Sequence, residues 1–128
     1  MGYANSYMFD KELITWSIDG GGDFFYREKH KFNVTNVSGI LELDESKFDY
    51  KFICEALIYQ HEKLHFDYQM KAHPSTIKDL YNIPDLPLSI QNIYANLFKL
   101  IDSKIFIEEK LLNEFRRQKQ YLLSNLFI

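Results

Sequence analysis

The stretch "ELITWSIDGGGDFFYREKHKFNVTNV", residues 12–37, decides the fold class. Its first eight residues alternate large apolar with polar side chains, the period of a strand with one face in a core. Gly20, Gly21 and Gly22 then break the chain, and a strand-like pattern resumes from Asp23. Ser38-Gly39 reads as the next turn, and "ILELD", residues 40–44, as a last short strand. The first third of the chain is therefore expected to form a small antiparallel sheet of three or four strands.

Beyond the sheet the period changes. From about residue 48 to residue 72 apolar side chains recur at helical spacing, with Asp44, Ser46 or Asp49 as caps and Pro74 closing the far end. "PSTIKDLYNIPDLP", residues 74–87, is a proline-punctuated connector with room for one helical turn. After Ser89, helical periodicity runs to about Leu126, with an interruption expected near Asp102-Ser103. The class that follows is α+β: a small antiparallel sheet, a central helix and a long C-terminal helix, in a single domain over residues 1–128.

Composition narrows the function. Hydrophobic residues make up 46% of the chain and aromatic residues 16%, enough for a core of wide rings without disulfide staples. The formal charge is -3, and Arg116, Arg117 and Lys119 stand among acids rather than forming a basic stripe, so no nucleic-acid partner is expected. Cys54 is the only cysteine, which excludes an intrachain disulfide and points weakly to a reducing compartment. No apolar run approaches a membrane span, and "MGYANSYMFD" lacks the basic and apolar regions of a signal peptide. A cytoplasmic protein with no membrane partner is expected.

The middle helix carries the chemistry. "YQHEKLHFDYQ", residues 59–69, sets His61 and His65 four apart with Glu62 between them. At about 100° per residue, His65 lies about 40° around the axis from His61, and Glu62 about 60° beyond it, so all three share one arc. Two imidazoles one turn apart fit two tetrahedral positions of a zinc ion. The neighbouring glutamate can take the proton of a zinc-bound water, whose hydroxide then attacks a polarised carbonyl. This is the H-E-x-x-H pattern of zinc proteases. The other arrangement open to these residues is semi-buried histidines hydrogen-bonded to core tyrosines, with Glu62 a solvated acid.

"LIYQHEKLHFDYQMKA", residues 57–72, resembles the active-site helix of a bacterial family of unknown function, predicted metalloproteases whose helix reads approximately H-E-Q-x-H-F-D. "ITWSIDG", residues 14–20, is similar to the Thr-Trp-Ser-like segment that often opens that family's small sheet. The resemblance covers about the first 72 residues, with Lys63 where the family usually has glutamine. It implies a compact zincin-like fold, Zn2+ on His61 and His65, and Glu62 as the catalytic base.

A catalytic zinc needs a third protein ligand. His30 sits in a strand-like run and His73 at a helix end. The long helix offers Glu108, which interrupts an apolar stripe of Ile90, Tyr94, Leu97, Ile101, Ile105, Leu112 and Phe115. A carboxylate buried by that stripe needs a cation, and the metal would serve. Glu108 is thus the expected third ligand, with His30, His73 and Glu109 to follow, while pairing of Glu108 with a basic residue stays open. Asp67 points away from the histidine arc, Tyr68 shares it, and Cys54 reads as a small core residue. The expected function is a small zinc-dependent hydrolase, a metallopeptidase acting on a peptide or protein substrate. The alternative is a catalytically silent zincin-like domain, or an unrelated small interaction or adaptor domain.

Overall fold

A computed structural model describes residues 9–18, 22–32, 38–64 and 72–127. Its elements run β1 (Phe9–Ser17), β2 (Phe24–Phe32), β3 (Ser38–Leu41), α1 (Tyr50–Leu64), α2 (Pro74–Leu80) and α3 (Leu88–Leu126). The strands form one antiparallel sheet in the order β2-β1-β3. The α+β class, the small sheet and the long last helix agree with the expectation from periodicity.

β1 is the middle strand, so both of its edges are paired, and its Leu13, Ile14, Thr15 and Trp16 are all buried. One face lies under α1. Ile14 pairs with Tyr26 and Trp16 with Phe24, and Phe24 and Tyr26 meet His61 and Lys51 of α1. The two-residue period of β2 turns Phe25 and Arg27 to the opposite face. Gly22 closes the β1–β2 connection at φ 80°, where a side chain would be strained. Gly39 corrects the expected turn at Ser38-Gly39. It is a strand residue opposite Trp16, and a Cβ there would stand 2.0 Å from the indole ring. The glycine makes room for the tryptophan, whose Nε1 donates to the Ala72 carbonyl at 2.7 Å.

Of the three candidate caps, Asp49 holds α1, accepting the Phe52 amide at Oδ1 over 3.0 Å. Asp44 instead closes the preceding turn, accepting from the Ser46 amide and hydroxyl at 3.0 and 2.6 Å. Those two bonds hold the Asp44 carboxyl below its ordinary range. The first turns of α1 supply the core with Phe52, Ile53, Cys54 and Leu57, whereas Tyr59 further along is 60% exposed. The connector yields a seven-residue helix, α2, with Pro74 in its first turn, where a missing amide hydrogen costs nothing. His73 occupies the N-cap position without a capping side-chain bond. No interruption occurs at Asp102-Ser103, and α3 runs for 39 residues.

A buried polar residue joins the loops to the start of α3. Gln91, fully buried, accepts the Asp49 amide at 2.9 Å and donates to the carbonyls of Lys47 and Leu86 at 3.1 and 2.7 Å. Three satisfied bonds offset the desolvation of its amide. The chain divides into two compact units, Met1–Ala95 and Asn96–Ile128. The first holds the sheet, α1, α2 and every buried side chain named above; in the second, no described residue is buried. Among the described residues no helix is long and apolar enough to cross a membrane.

Candidate functional site

The last turn of α1 places His61 against the β1–β2 connection and the segment after α2. Its Nδ1 lies 2.6 Å from the Tyr81 hydroxyl and its Nε2 3.2 Å from Asp23 Oδ1. A carboxylate accepts only, so the ring proton belongs on Nε2, leaving Nδ1 to accept from Tyr81. Phe24 meets both rings edge-on, with centroids 5.0 Å from Tyr81 and 6.1 Å from His61. One residue earlier, Gln60 exchanges two hydrogen bonds with the backbone of Asn82, at 2.7 and 2.9 Å. Burial, reinforced by Asp23, holds the Tyr81 phenol above its ordinary range.

Both nitrogens of His61 are thus engaged by side chains that helical spacing could not reveal, since Asp23 and Tyr81 are far from it in sequence. Glu62 is exposed. His65, Asp67 and Tyr68 lie outside the described residues, as does the side chain of His30. Among the described residues, no three His, Cys, Asp or Glu side chains are grouped to hold a metal ion. Cys54 is fully buried, and burial, with Glu55 beside it, pushes its thiol up to about 12, so it stays protonated and apolar.

In the second unit, Glu108 does not have the buried setting that its place in an apolar stripe suggests. It is half exposed, and its carboxylate meets Lys104 Nζ at 2.6 Å, one turn away on the same helix. Glu109 is exposed as well. The stripe itself is present, but Leu97, Ile101, Ile105, Leu112 and Phe115 are between 46% and 56% exposed.

The sheet face turned away from α1 carries a different kind of group. Arg27 projects from β2 and donates from Nε to Thr15 Oγ1 at 3.2 Å, while its guanidinium carbon lies 5.3 Å from the centre of the Phe25 ring. Both Arg27 and Phe25 are exposed, and Thr15 is buried. The pattern "FFYREK" contains the signal, because a two-residue period puts residues 25 and 27 on one face. Elsewhere in the first unit, Lys11 is paired to Glu42 at 2.9 Å and Lys51 to Glu55 at 2.7 Å.

A family model described as type I restriction modification DNA specificity domain matches residues 1–117. No curated protein and no solved structure matches the chain. The family match overturns the resemblance to the H-E-Q-x-H-F-D metalloproteases, and with it the zincin label, the metal-binding protease and the zinc-dependent hydrolase acting on a peptide substrate. An i, i+4 histidine pair marks only which side of a helix the rings share; what they meet there is decided by distant chain segments. The exclusion of a nucleic-acid partner is overturned by the same match. Net charge governs non-specific attraction to phosphates, and says little about side chains that read bases.

Proposed function

The chain belongs to the type I restriction modification DNA specificity domain family, and on that premise we propose that it recognises a DNA sequence within a restriction modification system. The observation that carries this is the extent of the match, which takes in the whole first unit and most of α3. The charge of -3 is consistent with recognition that relies on base edges and shape more than on phosphate neutralisation. A small sheet braced by α1 offers a rigid face for such contacts. The half-exposed stripe of α3 gives the second unit a surface for assembly, because a soluble helix seldom leaves so long an apolar face in water. Its place of action on this reading is the cytoplasm, with the DNA it recognises.

Selection from a pool of randomised duplex DNA by the full chain tests the proposal. The expected result is enrichment of one discrete sequence motif, with binding that persists above physiological salt better than for a protein held by phosphates alone. Retention of all sequences alike, or of none, overturns it.

A further inference from the structure

We propose that Arg27 is a base-reading residue, its guanidinium presented to the edge of a guanine in duplex DNA. This rests on the DNA-recognition reading above and deepens it by naming the residue and the base. The structural basis is how Arg27 is held. Its Nε is tied to the hydroxyl of buried Thr15, and its plane is flanked by Phe25, whereas its two terminal amino groups have no partner among the described residues. A free arginine on a surface loses rotamer freedom when it binds. Here the side chain is already oriented by one hydrogen bond and one ring, and the groups left over are the planar pair of donors.

The neighbours support a ligand rather than an ion pair as the missing partner. Lys11 and Lys51 each find a carboxylate, but the partner of Arg27 is a neutral hydroxyl, so its charge is not cancelled there. Arg27 stands opposite Leu13 in the register, and Phe25 opposite Thr15, so both belong to the sheet rather than to a loop. β2 is an edge strand of the described sheet, which leaves exposed Arg27 where it can approach the major groove. There, guanine offers two adjacent acceptors, O6 and N7, at the spacing of an arginine's paired donors. A phosphate could accept the same two hydrogens, and lysine separates the two sources. An ammonium satisfies a phosphate as a point charge but cannot reproduce the planar fork.

The test compares the full chain with Arg27→Lys, Arg27→Ala and Thr15→Val in selection from a randomised duplex pool, followed by affinity measurements on the selected site and its single-base variants. Wild type is expected to prefer guanine at one position, and Arg27→Lys to lose about 10- to 100-fold of that preference while other positions hold. Thr15→Val, which keeps the guanidinium but releases it, is expected to lose less at the same position. Unfolding midpoints close to wild type separate these effects from misfolding, and Thr15→Val serves as the second variant if Arg27→Lys fails to fold. An unchanged motif in all the variants overturns the assignment while DNA recognition stands. Equal weakening of every sequence by Arg27→Ala, with full recovery in Arg27→Lys, makes Arg27 a phosphate contact and also overturns it. A wild-type chain that selects no motif removes the DNA-recognition reading itself.

Discussion

Leu13, Ile14, Ile53 and Leu57 in the first unit are at most 2% exposed, while Ile105, Phe106, Leu112 and Phe115 in the second are exposed by 47% or more. The residue types are alike, so hydrophobicity does not distinguish the two regions. What differs is cover. In the first unit a middle strand is enclosed by its neighbours and by α1, and loops are tied in by Gln91. In the second, one helix holds a stripe that its own unit does not cover. A helix in a protein gains most of its stability from tertiary packing, so the second region depends on what it meets outside its own unit. The first is expected to behave as a folding core.

Substitutions can break or sharpen this contrast. Ile53→Ala removes a fully buried side chain, and equilibrium denaturation is expected to show a loss of about 2–5 kcal/mol. A loss below about 1 kcal/mol would mean that the first unit is not the core. Gly39→Ala comes next. The added methyl group meets the Trp16 indole, so a cost of about 1–3 kcal/mol is expected, with a change in the tryptophan fluorescence that Ile53→Ala need not produce. An unperturbed emission spectrum would show that the indole does not rest on Gly39. Ile105→Ala is expected to cost the least, within about 0.5 kcal/mol in dilute solution. A cost as large as that of Ile53→Ala, or one that grows with protein concentration, would show that the stripe is covered.

The elements were legible where their cause is local. The alternation in "ELITWSID", the glycine run and the change to helical period locate β1, the turn, β2 and α1, and Asp49 was among the three caps that the spacing offered. The exceptions were equally physical. Gly39 carries the same local signal in a turn as in a strand that makes room for a ring. Gln91 looks like any polar residue of a helix until three distant backbone groups converge on it. Glu108 interrupts an apolar stripe, yet Lys104, one turn earlier, supplies its cation and removes the reason for burying it.

The sequence by itself determined the α+β class, the antiparallel sheet and the amphipathic stripe of α3. All of these follow from the fixed geometry of strand and helix, which needs only nearby residues. Only the tertiary structure decided that His61 is held between Tyr81 and Asp23, that Arg27 is oriented by Thr15 and Phe25, and that the apolar stripe goes uncovered within its unit. Each depends on which remote segment arrives at a given face. That is set by the packing of the whole chain, where a side chain takes the best partner brought within reach, and no spacing between neighbours encodes it.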